Sequence, residues 1–500
     1  LFIDRQSSIV NRQSSMVNHQ WSIVNGQSSF IISLLAASIK VRRIKEDQRG
    51  ERMVSAVRGQ PSAYQSVLNL ALPAVGEQVL NMAVGIVDTF LVGHLGAAPL
   101  AAVGLANQIV MMANVLFGAI AVGSTALIAR AVGARDGERA NRVLQQSFLV
   151  GGLIGVTSTV LGVTLARQAM TAMGAEPDAL ALATLYLRTV AFTFLLSTLM
   201  FIGNACLRGA GDTRTPMRVM MLVNLINIAV AWTLINGVGG LPRLGVLGSA
   251  LGAACGRSLG GVVVVALLLR GRSGLRLRRW LWPPDWQVIR QILNVGLPAG
   301  VEQMLMRLGQ ISFARVIAAL GTTAYAAHAI ALNAESLSFS PGFGFAIAAT
   351  TLVGQGLGAG DVQRAEEHGY LAYSLGALVM GGMGVLFILF ARPIVSIFTS
   401  DAEVIALATG PLRLVGFVQP ILASTMIFAG ALRGAGDTRG PMIVTGLGLW
   451  AVRVPLSILL ALTLGWGLIG AWIAMAADLI FRGSFNFLRF RRGAWKTIRL

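Results

Sequence analysis

The sequence predicts an all-α polytopic membrane protein of twelve transmembrane helices, arranged as two parallel six-helix repeats. Three observations carry this reading. Of 500 residues, 55% are hydrophobic and only 12% charged, where soluble globular chains carry about 25% charge. Apolar runs long enough to cross a bilayer recur along the chain,. The two halves, finally, repeat at one fixed offset. Length alone would suggest two or three soluble domains, and the apolar runs overrule it. In a soluble protein the net charge of +19 would point to nucleic acid. Here the arginines fall at the ends of apolar segments, where topology selection puts them, so no nucleic-acid partner is expected. Cys206 and Cys255 are too few and too isolated for a disulfide framework or a metal cluster and read as small packing residues.

The first element, residues 1–52, is atypical. Residues 5–30 repeat with a period of seven (RQSSIVN, RQSSMVN, HQWSIVN, GQSSF). The apolar positions are adjacent and the rest are Ser, Gln and Asn, which suits neither a coiled coil nor a helix interior. The apolar stretch Phe30–Ile39 is too short to span and lacks a cleavage context before KVRRIKEDQRGER,. The expectation is a disordered or non-native extension, with the native start at Met53.

The repeat follows. LPAVGEQ at Leu72–Gln78 returns as LPAGVEQ at Leu297–Gln303, and LRGAGDTRTPM at Leu207–Met217 returns as LRGAGDTRGPM at Leu432–Met442. Gly133 of VGARDGERA matches Gly358 of LGAGDVQRAEE, and all three pairs are 225 residues apart. Six apolar runs fall in the first half, near 66–93, 98–130, 142–167, 179–205, 217–239 and 245–270. Six more lie near 291–320, 323–353, 367–391, 404–430, 441–465 and 466–490. An even number per half makes the repeats parallel, related by an axis along the membrane normal. The lobes are expected at 53–275 and 291–490, with a linker at 276–290 and a basic tail at 491–500. Short loops carrying Arg130, Arg135, Arg139, Arg142, Arg208, Arg214 and Arg218 alternate with Arg-poor ones such as GHLGAAP. Both termini should therefore face the cytoplasm of the cell (inner) membrane. The linker mixes Arg with Trp280, Trp282 and Trp286 and should lie along the inner interface.

Ionisable residues inside spans mark functional sites by default. In the first span, Glu77 and Asn81 precede Asp88, and Glu77 and Asp88 share a helix face about 16 Å apart. The second span offers Asn107 and Asn114, the fifth Asn224 and Asn227; each amide, taken singly, reads equally well as helix-to-helix glue. No base is expected at the depth of Asp88, so this carboxyl is suited to loading and releasing a proton. The second half buries Glu302, Glu335 and Asp478 alongside Arg307, Arg315 and Arg453, which suggests mutual pairing. Glu77 and Glu302 follow a proline near the inner helix ends, where snorkelling to the interface accounts for them. They nevertheless remain substrate-cavity candidates, with Asn81, Asn107, Asn114, Asn224 and Glu335. Pro341 is expected to break the eighth span and Pro455 the eleventh, as hinge candidates. The RGAGDTR loops lack P-loop spacing; Asp212 with Arg214, and Asp437 with Arg439, read as fixing the loop and helix start.

At these residues the sequence resembles the MATE (multidrug and toxic compound extrusion) family, and within it the DinF-like branch. The carrying stretches are LALPAVGEQ, VDTFLVGHLG, GSTALIARAVGARD and LRGAGDTRTP, with second-half counterparts AIAATTLVGQGLGAGD and LRGAGDTRGP, over about residues 62–492. The resemblance implies two six-helix bundles forming a V around a central cavity. It further implies export by alternating access, driven by inward H+ or Na+. Asp88 matches the family's first-helix acid and Asn227 a fifth-helix Asn of its cation site. The sequence departs from that site at Ala231, Ala253 and Met306, where other members carry an acid, a Thr and an acid. Losing those oxygens favours H+ over Na+.

The expected activity is therefore efflux of drugs or amphipathic metabolites by cation antiport, with no cofactor or metal beyond the coupling ion. Expected partners are the lipid bilayer and small organic, cationic or amphipathic substrates, with a monomeric protein. The alternative within transporters is a lipid-linked precursor flippase, whose cavity would be strongly cationic. A membrane-embedded transferase would need a catalytic His/Asp pair or a metal-binding acid cluster, and His94, His328 and His368 have no such company.

Overall fold

The computed structural model describes residues 62–238, 242–277 and 283–498. The expected extension 1–52, the start of the first lobe, and Arg278, Arg279, Trp280 and Trp282 of the linker lie outside the described residues. Residues 63–500 form one compact unit, and among the described residues it is helical, with an isolated bridge between Arg272 and Leu275.

The first half contains α1 (Ala63–Gly93), α2 (Ala97–Gly133), α3 (Gly137–Thr164) and the short α4 (Ala166–Ala172). It continues with α5 (Pro177–Ala191), α6 (Phe194–Gly209), α7 (Arg214–Asn236) and α8 (Val246–Arg270). The second half holds α9 (Trp286–Ala318), α10 (Thr322–Gly358), α11 (Val362–Ser396) and α12 (Ala402–Gly434). Then come α13 (Arg439–Leu447), α14 (Val454–Ser457) and α15 (Gly467–Arg492). Ten helical segments are long and apolar enough to cross a membrane, eleven if α5 and α6, bent by 53°, count as one span. Helix α9 completes the set of twelve; at 33 residues it is long enough, but Arg290, Glu302, Arg307 and Arg315 keep its hydropathy low.

Three expectations about breaks need correcting. The fourth span, read as continuous, bends between α5 and α6. The eighth does not break: α10 runs through Pro341 without interruption. In lipid a proline is tolerated where packed neighbours re-satisfy the freed carbonyl. An unforeseen kink sits instead in α11, where Phe390, three residues before Pro393, leaves helical geometry at φ −113°. Around Pro455 the chain stays helical but widens into π turns at Gly448–Arg453 and Ile458–Thr463. A proline lacking its N–H shifts the ladder by one residue there rather than ending it.

The repeat extends to local hydrogen bonds. Asp136 caps α3 by accepting from Arg139 N at 2.9 Å, and Asp361 caps α11 by accepting from Arg364 N at 2.9 Å. Thr125 Oγ1 donates to Ala205 O (3.0 Å), as Thr350 Oγ1 does to Gly430 O (2.8 Å). The halves meet where α10 packs on α1 and α2, and α9 on α2. Gly133 and Gly358 have a tertiary reason: a methyl at Gly133 would strike the carbonyl of Gln355, and one at Gly358 the carbonyl of Arg130. Across this seam Thr351 Oγ1 donates to Arg208 O (3.0 Å) and Gln355 Nε2 to Gly209 O (3.1 Å).

Candidate functional site

In the first half, α7 and α8 approach closely because Gly252 and Gly256 leave no side chain between α8 and the α7 backbone at Asn227 and Val223. That contact aims Asn227 and Arg257 at α1. Asn227 Nδ2 donates to both carboxylate oxygens of half-buried Asp88, at 3.0 and 3.3 Å. Arg257 acts on the same carboxylate electrostatically. The buried Tyr186 of α5 lies near Asn107 of α2 and Ser249 of α8 and feels both charges. Five helices thus converge on one polar cluster. The expectation that no base lies at the depth of Asp88 is wrong, because Arg257 sits one helix away. A cheap signal could have found it: the 225-residue offset pairs Arg257 with Arg482 in the twelfth span.

Of the other candidates, Asn224 is buried one turn before Asn227. Its Nδ2, like Asn227 Oδ1, has no hydrogen-bond partner among the described residues. Asn81 and Asn114 are half-buried outside the cluster. Glu77 and Glu302 do not snorkel. Glu77 lies 2.8 Å from Arg208 and Glu302 2.8 Å from Arg433, with Thr445 Oγ1 also donating to Glu302 (3.0 Å). Both carboxylates are buried, and a buried acid is held by pairing rather than by reaching for water.

The second-half acids and bases pair differently from the expected scheme. Asp478 receives Arg453 at 2.7 Å and both Nε and Nη2 of Arg482 at 2.8 Å. Arg453 lies over the Phe313 ring at 5.4 Å. His328 stands edge-on to Phe313 and Trp472. Glu335, 2% exposed, feels Arg453 but forms no ion pair with a described residue. Arg307 and Arg315 join none of these pairs.

The motif loops hold their helix starts, but through partners other than Arg214 and Arg439. Asp212 accepts from Thr215 N and Oγ1 and from Ser273 Oγ, with Arg272 at 3.5 Å. Burial pushes its carboxyl up; the Ser273 and Thr215 bonds and Arg272 outweigh that and hold it below the usual range. Asp437 is held bidentately by Arg489, at 2.6 and 3.0 Å. Among the described residues no group of three His, Cys, Asp or Glu could hold a metal ion.

The MatE family model matches twice, at residues 73–233 and 298–459, starting points 225 residues apart (298 − 73). "Probable multidrug resistance protein NorM" of Thermotoga maritima is 35% identical over 436 residues, covering 87% of this chain and 94% of that protein. "Uncharacterized transporter YisQ" of Bacillus subtilis is 28% identical, covering 86% and 94%. The fold matches the structure titled "Outward-facing conformation of a multidrug resistance MATE family transporter of the MOP superfamily", with a TM-score of 0.82 at 24% identity, over 88% of this chain and 98% of that one. Another, "Crystal structure of MATE in the bent conformation", matches at 0.81 and 24%, over 86% and 95%. Two family matches in register with the internal repeat, and a relative this similar along nearly its whole length, make the conclusion direct: the chain belongs to the MatE family, a multi-pass transporter of the cell membrane and not an enzyme.

Proposed function

We propose that this transporter exports small amphipathic organic compounds in exchange for inward-moving H+, with Asp88 as the coupling carboxylate and alternating access as the mechanism. The observation that carries the reading is the Asp88–Asn227–Arg257 cluster. Asp88 is half-buried and held by one amide and one nearby cation, so it can trade its charge for a proton without breaking a locked ion pair. By contrast, Asp478 is clamped by two arginines. Ionised Asp88 is balanced by Arg257; once protonated, it leaves that arginine without its counter-charge. The two states therefore differ in electrostatics across α1, α7 and α8, the differential interaction a population shift requires.

Na+ fits less well. It wants several oxygen ligands, and Ala231 and Ala253 offer none beyond the backbone, while Arg257 repels a cation. The multidrug name of the Thermotoga maritima relative supports drug-like substrates. The arginine-rich loops support cytoplasmic termini.

The test is ethidium export by everted vesicles carrying wild type or Asp88→Asn, under separate H+ and Na+ gradients. Wild type should export under the H+ gradient, and Asp88→Asn should lose at least tenfold of that rate while assembling normally. Full-rate export by Asp88→Asn would overturn the coupling assignment; export under the Na+ gradient alone would overturn the choice of ion.

A further inference from the structure

Helix α9 has three distinct faces. One packs within its own half through Glu302, Gly309 and Phe313. A second starts as the seam with the first half, where Ile292, Gly296 and Gly300 lie against Gly123 and Ala119 of α2. Steps of four and three residues keep one azimuth on a helix, so this face continues from Gly300 through Gln303, Arg307 and Gln310. Those three side chains are exposed. None makes a hydrogen bond or ion pair with another described residue. The third face, including Leu297, Met304, Leu308 and Ile311, is exposed and apolar up to Arg315 in the last turn, where a long side chain reaches the interface.

The exposed arc of α9 therefore splits into a lipid side and a polar side, and the polar side prolongs the seam to where the halves separate. Helix α2 runs antiparallel along that seam, Gly123 meeting Ile292 and Ala119 meeting Gly296. Its continuation, Leu116 and Met112, is exposed at 52% and 57% and forms the facing wall. An arginine within a span is expensive unless it meets water or an anion. Among the acids of the spans, Glu77 is committed to Arg208, Glu302 to Arg433, Asp478 to two arginines and Asp88 to Asn227, while Glu335 is buried and acts on Arg453. The position equivalent to Arg307 in the first half is Met82, so the charge belongs to one wall of the cleft. A guanidinium fork matches a carboxylate or phosphate in geometry as well as in charge.

We infer that Arg307, flanked by Gln303 and Gln310, holds the anionic group of an amphipathic substrate in the cleft between the halves, while its apolar body lies against Met112 and Leu116. This rests on the efflux reading and adds organic anions and zwitterions to its substrates. Methionine adapts its shape to varied apolar bodies, so the anion supplies the fixed point.

The test is equilibrium binding, which needs no ion coupling. Norfloxacin and its descarboxyl analogue are titrated, by fluorescence polarisation, onto purified full-length wild type, Arg307→Gln and Arg307→Lys. Wild type should favour norfloxacin by about tenfold, the size of one charge-assisted contact. Arg307→Gln should erase the preference and Arg307→Lys keep part of it. Competition by a polyprenyl phosphate in the detergent micelle would show the anion to be lipid-borne; its failure to compete would show a soluble one. Equal wild-type affinity for the two probes, no binding of either, or a preference surviving in Arg307→Gln would overturn the inference. A protein that binds norfloxacin with this discrimination but moves nothing under an H+ gradient would overturn the proposed antiport alone.

Discussion

The two halves agree at one end of the helices and part company at depth. Glu77–Arg208 and Glu302–Arg433 are the same ion pair at positions 225 apart, each at 2.8 Å. Deeper, the equivalent arginines Arg257 and Arg482 find their anions in different places. Arg482 takes Asp478, four residues earlier on its own helix. The position equivalent to Asp478 is Ala253, and Arg257 acts instead on Asp88 of α1, through its field and without a close ion pair. The position equivalent to Asp88 is Phe313, with Arg453 over its ring. One carboxylate has thus moved from the sixth helix to the first. An acid on the arginine's own helix is locked by a fixed spacing, whereas an acid on another helix can be separated from it when helices shift.

The largest expected effect breaks the locked site. Asp478→Asn leaves Arg453 and Arg482 buried without an anion and should cost about 3–5 kcal/mol, visible as a much lower unfolding temperature in detergent. Asp88→Asn, whose arginine is only half-buried and which keeps an oxygen for Asn227, should lower that temperature by much less. An equal loss in both would erase the distinction between a locked and a releasable acid.

A transplant tests the comparison directly. Asp88→Ala alone should cost about 1–3 kcal/mol by orphaning Arg257. Adding Ala253→Asp copies the second-half geometry and should restore most of that stability. Ethidium export should stay lost, because the new acid cannot leave its arginine. Recovery of H+-driven export by the double variant would show that the helix carrying the acid does not matter.

The smallest effect concerns the two RGAGDTR loops. Asp212 lies below the ordinary carboxylate range in the folded protein. Its contribution is therefore complete above the unfolded value and fades as pH falls through the lower folded value. Protection of the amides at residues 212–215, corrected for the intrinsic pH dependence of exchange, should be lower at about pH 3 than at neutral pH in the first-half loop. The Asp437 loop, clasped by Arg489, should respond less. An equal loss of protection in both would mean that the Arg489 clasp adds nothing.

Much of this was legible along the chain. The 225-residue offset paired the two RGAGDTR loops and the glycines Gly133 and Gly358, because local chemistry repeats wherever the local backbone does. Asp88 and Asn227 stood out as polar groups in apolar runs, and the structure joins them. Pairing was less legible. Arg257 escaped notice because a lone arginine within an apolar run gives no hint of which helix it faces. Arg214 was matched with Asp212 by nearness in sequence, whereas the contact comes from Arg272, sixty residues on. Pro341 promised a break that packing cancelled, and the break at Phe192 and Thr193 carried no proline signal.

The sequence by itself determined that this chain spans a membrane as two like halves, since hydropathy and repetition are properties of order along the chain. Only the tertiary structure decided which charges neutralise one another and which stay open. That depends on helix azimuth and on side-chain-free contacts such as Gly252 and Gly256 against Asn227, which bring residues over a hundred positions apart within hydrogen-bond reach.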